Sequence, residues 1–180
     1  MKSQIPPAYV TELQSVYGDD SQTIGSGSAV FSQSFTSEEL ESVNDILESA
    51  SKLYLRQYIG RMWDREQDDE SIRPGEEVWG VNLIYQRPQN AQEDGPGDLN
   101  IVDALNHLVD KPGLLSTVGA ALDLFQEDQH YADVMYNAFD DPSVILLHCY
   151  QVEDYEAYNG LLVSACRDNG EAVFWIFIQD

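Results

Sequence analysis

Three apolar segments near the C-terminal end constrain this chain more than any other feature. Val144 to Val152 is apolar on both faces, and Gly160 to Cys166 and Glu171 to Ile178 flank Asn169-Gly170. Asn-Gly between two apolar runs signals a hairpin, because both central residues of a type I′ turn need positive φ. A two-residue turn there places Ser164 opposite Trp175 and Val163 opposite Ile176. Runs as apolar as these must be buried, which excludes a disordered chain.

Helical spacing dominates the rest. Ala8 to Tyr17 reads as a short helix ended by Gly18, and Ala29-Val30-Phe31 begins a short strand. Thr36-Ser37-Glu38-Glu39 is a capping box, a hydroxyl with a Glu three residues on. Leu40, Val43, Leu47, Ala50 and Tyr54 then follow a 3.6-residue period, with Ile59, Met62 and Trp63 extending the stripe. Glu48 and Lys52 form an i,i+4 pair on the wet side. Trp79, Val81, Leu83 and Tyr85 alternate as a strand with one buried face. Three short helices follow. The first is capped by Asp98 and carries Ile101, Leu105 and Leu108. The second starts at Pro112-Gly113 and carries Leu115, Val118, Leu122 and Phe125. The third carries Tyr131, Val134, Met135 and Ala138 and ends at Asp140-Asp141-Pro142.

Helices grouped before a run of strands predict an α+β fold, with a mostly antiparallel sheet of about four or five strands against a layer of helices. A length of 180 residues predicts a single domain over 1–180, with mobile loops at 18–28, 64–77 and 87–97.

Charge is the other anomaly. Thirty-two Asp and Glu stand against nine Lys and Arg, a net of −23. Self-repulsion of that size works against the compact state, so it serves solubility or partner choice and not folding. It also argues against direct binding to nucleic acid phosphates or anionic membranes. No basic residue occurs from Ser3 to Ser51, and after Arg87 only Lys111 and Arg167 remain. The strongly negative C-terminal half is therefore the expected binding face. Met1 to Pro7 has no apolar signal core and there are two cysteines, which predicts a reduced, cytoplasmic setting.

Familiar catalytic patterns fail on inspection. Counting from Asp64, a calcium loop would need Gly at Asp69 and an acid at Gly75. His148 and Cys149 adjoin in a strand and so point to opposite faces. The three histidines lack zinc spacing, and Gly25-Ser26-Gly27 lacks the third glycine and the Lys of a phosphate loop. No cofactor and no metal are expected.

One stretch points to a partner. Tyr131, Asp133, Tyr136, Asp140, Asp141, Glu153, Asp154, Tyr155, Glu156 and Tyr158 interleave acids with tyrosines. Tyrosine gives contact area at small entropic cost, and a neighbouring carboxylate takes arginine bidentately. The plain alternative is that these tyrosines pack into the core while the acids face water. A compact chain of this length is roughly 40 Å across, and duplex DNA of that length carries about 24 phosphates. The expectation is an acidic protein-binding module, an inhibitor or immunity-type protein on a basic partner such as a nuclease or DNA-binding protein. DNA imitation is the variant of the same idea. The alternative is an enzyme or small-ligand protein using His148, Ser164 and Trp175, or His107. A third reading gives the acidity no partner at all, only a role in solubility.

Overall fold

The computed structural model describes residues 5–19, 27–66, 79–88, 100–127, 129–153 and 158–179. Within it the fold is α+β. Strands β1 (Ser28–Ser34), β2 (Gly80–Pro88), β3 (Val144–Glu153), β4 (Asn159–Arg167) and β5 (Glu171–Gln179) form one sheet in the order β1-β5-β4-β3-β2. Every neighbouring pair is antiparallel. The three apolar C-terminal segments are its interior strands, because only an interior strand covered on both faces can bury such runs.

Side chains alternate across the sheet. Leu147, Cys149, Leu161, Val163, Val173 and Trp175 face helices α1 (Ala8–Tyr17), α3 (Ile101–His107), α4 (Leu114–Glu127) and α5 (Gln129–Phe139). Leu146, Tyr150, Leu162, Phe174 and Ile176 face helix α2 (Val43–Glu66). Helices thus cover both faces rather than forming one layer.

Local rules explain the element ends. Gly18 terminates α1 at φ +91°. The capping box before α2 closes in both directions. The Thr36 N–H donates to Glu39 Oε1 at 3.0 Å, and the Glu39 N–H donates to Thr36 Oγ1 at 3.2 Å. A 3₁₀ turn, Glu39–Ser42, leads into the helix. Leu40, Val43, Leu47, Ala50, Tyr54 and Ile59 pack on the sheet as their spacing predicts. The side chains of Met62 and Trp63 lie outside those described.

Expectations of local detail need correction. The β4–β5 hairpin pairs Ser164 with Phe174 and Val163 with Trp175, one residue off the expected register. Residues 168–170 make a three-residue turn, with Gly170 at φ +93° and its N–H bonded to the Arg167 carbonyl at 3.0 Å. Gly170 also lies so close to Phe35 that an added Cβ would sit 2.2 Å from its carbonyl oxygen.

In β2 an irregularity between Leu83 and Tyr85 breaks the alternation. Trp79 and Val81 stay on the α2 face, Ile84 and Tyr85 join the other, and Leu83 is left 48% exposed. Helix α3 is capped by Asn100, whose side chain accepts the Asp103 N–H at 2.8 Å, while Asp98 is outside the described residues. In α4 it is Leu114 that is buried, and Leu115 is 69% exposed.

Of the three expected loops, the parts 20–26, 67–77 and 89–97 lie outside the described residues. Ser28 belongs to β1, residues 64–66 to α2, and 87–88 to β2. No helix among the described residues is long and apolar enough to cross a membrane.

Candidate functional site

The acid-and-tyrosine set divides along β3. Tyr131, Asp133, Tyr136, Asp140 and Asp141 belong to α5 and the turn that precedes the strand, whereas Glu153 ends it. Nine residue steps at about 3.3 Å separate the strand's two ends by about 30 Å. Tyr136 packs against the cluster under α5, and Tyr158 packs against the opposite cluster with its ring 6.2 Å from that of Trp79. Asp154, Tyr155 and Glu156 lie outside the described residues.

Two of these acids bind within the chain. Asp140 pairs with Arg87 at 2.8 Å, and both of its oxygens accept the Ile101 N–H at 3.0 Å. Arg87 reaches the Phe139 carbonyl as well. One carboxylate therefore joins β2, the start of α3 and the end of α5. Asp141 accepts the Ser143 hydroxyl at 2.6 Å and its N–H at 2.9 Å, with Arg167 at 3.8 Å. The Ser143 hydrogen bonds, helped by Arg167, hold the Asp141 carboxyl below its usual range. Tyr131 is half-buried, and Asp133 is exposed on α5, where it accepts from Gln129 at 3.2 Å.

Among the described residues, exposed acids gather at the entry to α2. Glu38, Glu41 and Asp45 are exposed there, beside the capping Glu39 and Glu48, which pairs with Lys52 at 3.0 Å. Acids at a helix N-terminus also complement its dipole, which is their plain structural role. The expectation of a C-terminal binding face passed over this group. The signal for it was the lack of any basic residue from Ser3 to Ser51.

The enzyme alternative meets a sealed arrangement. His148 and Ser164 are cross-strand partners on β3 and β4 and face α2, while Trp175 lies on the other face and His107 is exposed on α3. The ring of His148 is 2.9 Å from the Tyr150 hydroxyl through Nδ1 and 2.9 Å from Asn44 Oδ1 through Nε2. Gln86 Nε2 donates to the same Asn44 oxygen at 3.2 Å. Next to them Ser51 Oγ lies 2.5 Å from Ser164 Oγ and donates to the Leu47 carbonyl at 2.6 Å. Ser51 and Ser164 have no exposed surface and His148 has 2%.

Burial pushes the His148 pKa down, with Glu48 pulling weakly the other way, and burial pushes Tyr150 up. This row pairs the polar atoms under α2, with the His148, Ser51 and Ser164 side chains buried. The cysteines do not supply a nucleophile either. Burial raises Cys149 to about 12 and Cys166 to about 11, and they face opposite sides of the sheet. Among the described residues no group of three or more His, Cys, Asp or Glu could hold a metal ion.

No family model, no curated protein and no solved structure matches this chain.

Proposed function

We propose that this chain is an acidic protein-binding module that occupies the basic surface of a partner protein, as an inhibitor or immunity-type protein does. A nuclease or a DNA-binding protein has the surface chemistry required. The observation that carries this reading is where the cations go. Arg87 is held by Asp140 and the Phe139 carbonyl. Arg167 lies over the Tyr9 ring at 3.5 Å and bonds to the Asn137 carbonyl at 2.5 Å. Both are spent inside the structure, so among the described residues Glu38, Glu41, Asp45, Asp103, Asp110, Asp123 and Asp133 are exposed with Lys52, Arg56 and Lys111 as the exposed cations to oppose them. A basic partner would be drawn to such a surface quickly at low salt and would dissociate as salt rises.

Capture of the tagged chain from its native cells at low salt, followed by a salt step, tests the reading. The expected result is one stoichiometric basic protein released by salt. Reversal of Glu38, Glu41 and Asp45 to Lys should weaken that complex at least tenfold, and Asp133→Lys tests the α5 face in parallel. If both reversed proteins keep the partner at unchanged affinity, neither face binds it. Recovery of no basic protein would count against the reading as a whole.

A further inference from the structure

His148 is a titratable group closed between the sheet and the first half of α2. Asn44 Oδ1 already accepts from Gln86, and it can only accept from His148, so Nε2 carries the ring proton. Nδ1 then accepts from the Tyr150 hydroxyl. A second proton on the ring would turn Nδ1 into a donor facing a donor. Tyr150 would have to turn its hydrogen toward Ser51, whose oxygen is already close to Ser164 and to the Leu47 carbonyl.

The surroundings of the ring offer the imidazolium little. From β4 it meets Ser164, from β2 Gln86, and from β3 Tyr150, all uncharged. From α2 it meets Asn44 and, at longer range, Glu48, which is half in water and paired with Lys52. Among the described residues no carboxylate bonds the ring directly.

We propose that His148 is an acid-sensitive latch: the neutral ring holds residues 44–51 of α2 on the sheet, and its protonation releases that segment. The latch stands whether or not the acidic surface binds a partner. When the segment lifts, the ring returns to water and to an ordinary pKa near 6.5. Below that pH the opening equilibrium therefore rises by up to about tenfold per pH unit, until the closed form itself takes up the proton. Ordinary carboxylates titrate nearer pH 4. The other two histidines, His107 and His130, lie on α3 and α5, which pack on the opposite face of the sheet, so a change confined to α2 between pH 6.5 and 5 reports His148.

Amide hydrogen exchange at pH 7, 6 and 5, corrected for the intrinsic rate, reads the opening directly. Residues 44–51 are expected to lose protection several-fold per unit below pH 6.5 while α5 holds constant. Asn44→Asp sets a carboxylate against Nε2 at an exposed position, keeps both acceptor contacts, and should abolish or reverse the effect. His148→Asn should flatten it. The Asn44→Asp variant carries the test if His148→Asn does not fold. Unchanged protection of 44–51 between pH 7 and 5 would overturn the latch. So would an equal loss in α5, or the same loss in Asn44→Asp.

Discussion

On one face of the sheet four helices enclose Trp175 among side chains that are almost all apolar. On the other, among the described residues, α2 covers His148, Tyr150 and Ser164 with Asn44 and Ser51. The two faces hold by different means. The Trp175 ring lies 4.7 Å from that of Tyr17 and 6.3 Å from that of Phe139, and its indole N–H has no partner among the described residues. That face depends on shape and contact and tolerates an unmet donor. Under α2 each named polar atom is paired, so that face depends on protonation state as well as on packing. Removal of volume is thus expected to injure the first face most, and a change of proton count the second.

Substitutions can break or sharpen this contrast. Trp175→Ala should be the most damaging, at about 3–5 kcal/mol in denaturant unfolding, from lost burial and an unfilled cavity. A loss under 1 kcal/mol would mean that the helices collapse into the space. Asp140→Ala should cost about 3 kcal/mol, because it leaves Arg87 partly buried without its anion and frees the first N–H of α3. Helix α3 should then show faster amide exchange than α4. Ser164→Ala, on the α2 face, should cost about 1 kcal/mol, since Ser51 keeps its bond to the Leu47 carbonyl. A cost near that of Trp175→Ala would show that the polar row is one cooperative unit. Lys52→Ala should cost no more than about 0.5 kcal/mol and vanish in high salt, as an exposed i,i+4 pair does.

Legibility in the sequence followed distance along the chain. The capping box at Thr36 and Glu39, the Glu48–Lys52 pair and the stop at Gly18 depend on residues within four positions, and all three form. The α+β class followed from the order of patterns, which is also local information. The hairpin register did not, because Asn-Gly is compatible with two- and three-residue turns. Choosing between them involves the approach of Phe35 to Gly170, 135 positions away. The alternation fails at Tyr85 because a bulge after Leu83 adds one residue and inverts the side chains beyond it.

The candidate site was less legible still. Asp140 reads as surface charge until β2 and α3 bring Arg87 and the Ile101 N–H to it. His148 and Ser164 stand in the sequence in one candidate set with Trp175, and only the β3–β4 register separates Trp175 from them and makes the two neighbours under Ser51.

The sheet order also has a temporal side. Its three interior strands all lie in 144–179, so β1, β2 and the five helices have no platform until those roughly 36 residues exist. At a synthesis rate of about 5–20 residues per second, that stretch takes about 2 to 7 s, while amphipathic helices made earlier wait with apolar stripes uncovered. Neighbouring nascent chains meet in that interval at high local concentration. Electrostatic repulsion between like-charged, half-made chains is the protection such an arrangement calls for, and no basic residue interrupts the acids from Ser3 to Ser51, which are made before any of the three interior strands.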